Sequence, residues 1–396
     1  MTMSSASVVF TPSGKRGSFP HGTPVLQAAR SLGVDLDSVC GGRGICARCQ
    51  VIHTTGEFSK HGLVSAATHL SPFDATEEKL VRKTTRLKSG RRLGCTAQIL
   101  GDCVIDVPPE SQIHRQVVRK EAEIREIKID PVVRLYYVEV EPPKMEDPTS
   151  DIRRLLKALE TEWELQNIKV PHSILEMLQP TLREGKWKVT VAVDHDGIMR
   201  GIWADFREHL YGIAVDIGST TLAAHLCELG SGEVLSSAGM MNPQIRFGED
   251  LMSRVSYVML NQEGEKELTK SVREALNQLS LEVCEQAGIQ KEEVMEMVMV
   301  GNPVMHHLVH GINPVELGGA PFALATDEAI ITPASELDLE LHQLARTYTL
   351  PCIAGHVGAD TAAMVLAEAP HHQEAITLLV DVGTNAEIVL GNRDRL

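Results

Sequence analysis

The sequence predicts an α/β multidomain protein, and three observations predict it. Near the N-terminus Cys40, Cys46 and Cys49 share one glycine-rich loop, CGGRGICARC, with Cys95 further along. A middle stretch mixes strand-like and helix-like runs. The C-terminal half holds two copies of one pattern, an apolar strand, then D-x-G-[S/T], then a second strand: YGIAVDIGSTTLAAHL at 211–226 and TLLVDVGTNAEIVL at 377–390. The 396 residues are enough for two or three domains.

Composition narrows the function. With 43% hydrophobic and 23% charged residues the chain is of ordinary globular make-up. A net charge of −15 argues against nucleic-acid binding, which needs a basic surface. No apolar run approaches the roughly 20 residues of a membrane span, and MTMSSASVVFTPSGKRG lacks the apolar core of a signal peptide. The expected location is the cytoplasm. Disulfides rarely persist there, so clustered cysteines point to metal binding or redox chemistry.

The cysteine spacing is C-x5-C-x2-C with one distant cysteine. Structural zinc sites are built from two close pairs, or a pair with two histidines. A triplet plus a lone downstream cysteine is the layout of a plant-type [2Fe–2S] ferredoxin, with one extra residue between the first two ligands. The loop resembles the adrenodoxin branch, which shares that spacing. Glycines 41, 42 and 44 let the backbone curl and aim N–H groups at sulfur. RLGC at 92–95 resembles the segment that supplies the last ligand of ferredoxins, which assigns the metal site to Cys40, Cys46, Cys49 and Cys95. Cys103 sits in the strand-like GDCVIDV and reads as a buried apolar residue. Cys227, Cys284 and Cys352 stand alone in apolar settings.

The flanks fit a β-grasp ferredoxin domain. SVVFTP reads as a strand. HGTPVLQAARSLG reads as a helix with Thr23 as N-cap, Pro24 in the first turn and Gly33 at the end. ARCQVIHTTGE gives a strand, Asp74 and Glu77 a capping box, and residues 93–107 the closing strands. The basic run Lys79, Arg82, Lys83, Arg86, Lys88, Arg91 and Arg92 is a solvated face or a docking patch for an acidic redox partner.

Pro108-Pro109 marks a break, and RKEAEIREIKID reads as linker. RLYYVEVEPP alternates as a strand. DIRRLLKALETEW places Ile152, Leu155, Leu156, Leu159 and Trp163 on one helix face. KWKVTVAVDHDGIMRGIW gives two strands about an Asp-Gly turn. This small α+β region shows no catalytic constellation; spacing or homodimer formation are the roles open to it.

In the repeat, Gly218 and Gly383 permit a tight turn and close approach of backbone amides to an anion. Ser219, Thr220 and Thr384 add hydroxyls, Asn385 follows, and Asp216 and Asp381 put carboxylates where Mg²⁺–phosphate would sit. The pair resembles the two phosphate loops of the superfamily of ATPases that contains actin, sugar kinases and the 70-kDa heat-shock chaperones, a ribonuclease H-like fold. That resemblance implies a role for Asp360, before the T-A-A helix of GADTAAMVLA, in holding metal and water; an N-cap role is equally open. In MVMVGNPVMHHLVHGINP, Asn302 and Pro303 start a helix. His306 and His310 share its face and read as packing or surface residues before metal ligands.

Taken in order, CGGRGICARC, VDIGSTT, NPQIRFGEDLMSR, GNPVMHHL, GHVGADTAA and LLVDVGTNAE resemble the reductive activators of corrinoid proteins along the whole chain. The resemblance implies ferredoxin-type (1–108), linker (109–131), α+β middle (132–208) and actin-like ATPase (209–396) regions. It implies a [2Fe–2S] cluster and Mg²⁺–ATP, used to return cob(II)amide to cob(I)amide on the corrinoid protein of a methyltransferase system. A flavoprotein or ferredoxin would be the electron donor. Arg246, Glu249 and Asp250 are placed at the cleft or the partner. Actin-like domains continue beyond the second phosphate loop, so an end at Leu396 predicts an incomplete, truncated second lobe lacking much of the adenosine pocket. Two other readings stand beside this one. One is a plain electron-transfer module for an oxygenase or reductase with a degenerate ATPase. The other is an actin-like kinase with the cluster as redox sensor.

Overall fold

The computed structural model describes residues 4–38, 40, 42, 44, 46–83, 86–112, 128–248, 250–383 and 386–396. Gly41, Glu249, Thr384 and Asn385 lie outside the described residues, as does most of the expected linker.

The N-terminal region contains β1 (Ser5–Thr11), β2 (Lys15–Pro20), α1 (Val25–Ser31), β3 (Gln50–Thr54), the short hairpin β4 (Gly56–Phe58) and β5 (Leu63–Ser65), α2 (Ala75–Lys83), β6 (Arg92–Leu93) and β7 (Cys103–Asp106). Five strands form a sheet in the order β2-β1-β7-β3-β6, with β1 and β7 parallel and the other pairs antiparallel. This is the expected β-grasp sheet. The period of two along a strand divides its faces. Val8 and Phe10 bury into a core with Val25, Leu26, Val51 and Ile105, while Val9 and Val104 join the C-terminal core on the opposite face. The start of α1 departs from expectation. Pro24 is extended and precedes the helix, and the Thr23 hydroxyl donates to Pro20 O at 2.7 Å. No side-chain cap is needed, because Val25 N–H donates to Ala97 O and Leu26 N–H to Gly94 O. The strap around Cys95 caps α1 instead.

The middle region comprises β8 (Val133–Glu139), α3 (Asp151–Trp163), α4 (His172–Glu184), β9 (Lys188–Asp194) and β10 (Met199–Ala204), with an antiparallel sheet β10-β9-β8. Leu155 and Leu159 of α3 and Ile174, Leu178 and Leu182 of α4 cover it. Trp163 is 47% exposed, and its indole N–H donates to Tyr137 O. Helix α4, with Pro180 inside it, was not among the expected elements.

The C-terminal region runs β11 (Tyr211–Ile217), β12 (Thr221–Glu228), β13 (Val234–Met241), α5 (Leu251–Leu260), α6 (Gly264–Ala287), β14 (Val294–Gly301), α7 (Pro303–His310), β15 (Ile330–Pro333), β16 (Arg346–Thr349), α8 (Ala359–Glu368), β17 (Thr377–Val382) and β18 (Ala386–Gly391). Six strands are ordered β13-β12-β11-β14-β16-β15, with β11, β14 and β16 mutually parallel. The near-continuous apolar run of β14 suits a central strand covered on both faces. From β11 the chain first builds one side of the sheet and then crosses to β14 on the other. The crevice beyond the carboxyl ends of β11 and β14 is therefore the topological place for a ligand. The two repeat copies both fold as hairpins, but their settings differ. The first is built into the six-stranded sheet, whereas β17 and β18 form a two-stranded sheet whose Leu378, Val380, Val382, Ile388 and Leu390 are 48–79% exposed. Among the described residues no helix is long and apolar enough to cross a membrane.

Asn302 caps α7 by accepting from Met305 N–H at 3.0 Å, as its sequence predicts. His306 and His310 do share a face, with ring centroids 5.6 Å apart; His306 is buried and His310 half-buried. Burial pushes each imidazole down to about 4, with neighbouring histidines adding to the shift. The unfolded chain therefore binds protons that the native state refuses, and their contribution to stability is full above about 6.5 and lost as pH falls toward 4. Both His306 nitrogens lack hydrogen-bond partners among the described residues. A His306→Leu variant should accordingly lose stability less steeply between pH 6.5 and 4 than the parent, measured by denaturant midpoints. An unchanged slope would refute this account of the acid limb.

Candidate functional site

The four predicted cysteines are brought together at one end of the N-terminal sheet. Cys46 Sγ lies 3.4 Å from Cys40 Sγ, well beyond the roughly 2.05 Å of a disulfide. The Cys49 thiol is hydrogen-bonded to Cys95. That bond, with burial, pushes Cys49 far above the ordinary thiol range, and the same bond holds Cys95 below it against the opposing effect of burial. Gly44 N–H also donates to the Cys95 sulfur. Gly42 and Gly44 have φ of 88° and 68°, the left-handed turns that fold the loop over the sulfurs. Cys49 is 1% exposed, so this pair faces the core.

Among the described residues no three His, Cys, Asp or Glu side chains enclose a single ion. The cysteines form two pairs, Cys40 with Cys46 and Cys49 with Cys95. A binuclear cluster with two thiolates on each iron requires that distribution, whereas a tetrahedral zinc site would gather all four around one point. Cys103 is fully buried in β7, with its thiol pushed up to about 12 by burial, and takes no part.

What holds the Cys95 strap is a buried carboxylate. Glu77 is 0% exposed; it accepts from Arg92 Nε and Nη2 at 3.0 and 2.8 Å and from Leu93 N–H at 2.7 Å. The expected capping box is also formed, with Glu77 N–H donating to Asp74 Oδ1 and Asp74 N–H donating to Glu77 Oε2. The basic run is largely committed inside the chain: Arg92 pairs with Glu77, Lys88 and Arg91 with Glu110, and Arg82 with Glu78. Those pairs fit the solvated-face reading better than a free docking patch. Replacing Glu77 by alanine leaves the Arg92 guanidinium only the Ser71 and Pro72 carbonyls, removes its charge partner, and should cost about 3 kcal/mol in chemical denaturation. A loss below 1 kcal/mol would show that the strap is held otherwise.

A second site lies in the crevice beyond β11 and β14. A cavity of about 670 Å³ is lined by Asp216, Gly218, Ser219 and Thr220 of the first repeat and by Asp381, Gly383 and Glu387 of the second, with Asn302 and Asp360 between them. Gly358 lets α8 close in, since a Cβ there would lie 2.6 Å from Asn302 Cα. Asp360 falls in the first turn of α8, whose N-cap is Gly358, and its Oδ1 accepts from Thr361 N–H. Burial raises the Asp360 carboxyl, and Asp216 and Asp381 raise it further. Glu387 is raised by burial and by Asp360 and Asp381. Four carboxylates around one cleft, with Asp360 and Glu387 raised by burial and by their neighbours, favour a divalent cation. That none encloses an ion alone suits Mg²⁺, which takes one or two carboxylates and completes its octahedron with phosphate and water.

The sequence reading missed four contributors. Glu387 enters because β17 and β18 place it directly across from Asp381. Asn302, read only as a helix cap, also donates to Ser219 Oγ at 3.0 Å. The other two lie in NPQIRFGEDLMSR, where Arg246 and Asp250 were expected at the cleft or the partner. Arg246 instead stacks on Phe247, and Asp250 caps α5 and pairs with Lys60. Arg254 lies behind the turn at 218–220. It is 0% exposed and donates to Ser219 O, Gly248 O and Gln244 Oε1. Asn242 holds the same turn, donating through Nδ2 to Gly218 O at 2.8 Å and through its backbone to Thr220 O.

Comparison with known proteins places these sites in a family. Three family models match in succession: the 2Fe-2S iron-sulfur cluster binding domain over residues 10–99, the RACo linker region over 122–209 and the RACo middle region over 211–373. The corrinoid activation enzyme RamQ of Eubacterium limosum is 28% identical over 378 residues, 94% of this chain and 56% of that protein. The [Co(II) methylated amine-specific corrinoid protein] reductase of Methanosarcina barkeri is 26% identical over 47% of this chain and 35% of its own length. A solved structure of a reductive activator for corrinoid, iron-sulfur protein superposes with a TM-score of 0.63 at 29% identity, covering 98% of this chain and 62% of that one. The chain thus spans little more than half the length of these first two full-chain matches. With a 2Fe-2S-type domain followed by the RACo linker and middle regions, the chain belongs to the RACo family.

Proposed function

We propose that this chain passes one electron from a [2Fe–2S] cluster to the cob(II)amide of a corrinoid protein, with Mg²⁺–ATP bound in the acidic cleft. The observation that carries this reading is the presence, in one chain, of two thiol pairs and a carboxylate-lined cleft. Cys40 and Cys46 would hold one iron, and Cys49 and Cys95 the other. Asp216 and Asp381 would orient Mg²⁺, and Asp360 its water. Gly218, Ser219, Thr220, Gly383, Thr384 and Asn385 would meet the phosphates. The cluster supplies a one-electron carrier, reduced by a flavoprotein or ferredoxin and reoxidised as Co(II) becomes Co(I). The corrinoid partner belongs to a methyltransferase system in the cytoplasm, and the middle region is the candidate homodimer contact.

Energetics explain why both sites are joined. Plant-type clusters sit near about −400 mV, and each further ~59 mV uphill costs a tenfold factor for one electron. Nucleotide binding would bring the partner into a state that accepts the electron. The test mixes reduced protein with a corrinoid protein in the cob(II)amide state and follows cob(I)amide absorption with and without Mg²⁺–ATP. The proposal expects formation that depends on both cluster and nucleotide. Transfer indifferent to ATP would favour the plain electron-transfer module, and no transfer at all would defeat the proposal.

A further inference from the structure

One segment touches both sites. Residues 242–261 run from the nucleotide cleft to the N-terminal domain. At one end Asn242 and Arg254 hold the carbonyls of Gly218, Ser219 and Thr220. At the other, Asn261 Oδ1 accepts from Glu57 N–H at 3.1 Å, the Tyr257 hydroxyl lies 3.2 Å from Thr55 O, and Asp250 pairs with Lys60 at 3.0 Å. The docked element is the β4–β5 hairpin. Its Phe58 and Leu63 share one buried core with Phe247, Val255 and Tyr257, with the Phe58 and Tyr257 rings 5.6 Å apart. Gly56, at φ 142°, is required for the approach, since a Cβ would lie 2.8 Å from Asn261 Oδ1. From Arg254 to the end of α5 at Leu260 is about 9 Å of helix, and Asn261 follows directly.

We infer that segment 242–261 couples the two sites, so that nucleotide in the cleft tightens the docking of the cluster domain and docking in turn tightens nucleotide binding. The inference rests on the nucleotide reading above. The physical basis is that one conformation of the segment serves both contacts. Whichever contact forms first bears the ordering entropy, and the second forms on an ordered element, which is positive cooperativity. Such coupling is reciprocal. Arg254 and Asn242 act here as positioning residues of the phosphate turn, and Tyr257 and Asn261 as positioning residues of the hairpin.

The test uses the full chain carrying its cluster, with Mg²⁺ and a non-hydrolysable ATP analogue as probe. Nucleotide affinity is measured by calorimetry in the parent, in Asn261→Ala and in Lys60→Glu. Lys60 is a surface residue, so its variant guards against loss of fold. Amide hydrogen exchange is followed at residues 56–58. Expected are a five- to tenfold loss of affinity in Asn261→Ala, a smaller loss in Lys60→Glu, and slower exchange at Glu57 when the analogue is bound. Binding with unchanged affinity in both variants and unchanged exchange at 56–58 overturns the coupling and leaves the nucleotide reading intact. No binding by the parent overturns the nucleotide reading and the coupling with it.

Discussion

Replacing Asp216 by alanine is expected to lower Mg²⁺–ATP affinity by about a hundredfold, or about 2.7 kcal/mol. Asp216 lies one residue before the end of β11 and lines the cleft together with Asp381 and Asp360. Its carboxylate would be one of the few that Mg²⁺ takes while keeping its waters and phosphates. The same substitution should lower the Asp360 carboxyl toward its ordinary range, because Asp216 is one of the charges raising it. The pH dependence follows from the direction of those shifts. With Asp360 and Glu387 raised, the empty cleft retains protons that a cation must displace, so affinity rises with pH and the approach to its plateau shifts to lower pH in the variant. Isothermal titration across pH checks both statements. Unaltered affinity would remove Asp216 from the site.

Cys95→Ser should abolish the visible spectrum of the cluster, as should Cys40→Ser, Cys46→Ser and Cys49→Ser, while Cys103→Ser should keep it. The contrast is decisive because Cys95 and Cys103 are the two downstream candidates in sequence, yet only Cys95 meets Cys49 and the Gly44 N–H. Cys103 is sealed in β7 beside Val104 and Ile105. Iron and absorbance retained by Cys95→Ser but lost by Cys103→Ser would reverse the assignment.

Much of this was legible in the residues because the chemistry is local. A C-x5-C-x2-C loop with glycines between the ligands has few uses, and the two D-x-G-[S/T] hairpins carry their turn chemistry within a few residues. The Asp74–Glu77 capping box and the Asn302 cap were readable for the same reason. The failures are long-range. Thr23 has the right residue type for a cap, but the strap at 94–97 satisfies the helix start from seventy residues away. Arg254 looks like any charged helix residue until α5 turns it under Ser219. Glu387 depends on which residue of β18 lies opposite Asp381, and register is set by the turn.

The central claim is that two thiol pairs hold two irons. It is tested most directly by anaerobic reconstitution of the chain, followed by iron and acid-labile sulfide analysis and a reductive titration. The account predicts two irons and two sulfides per chain and the uptake of a single electron. One metal ion per chain with no sulfide and no electron uptake would contradict it.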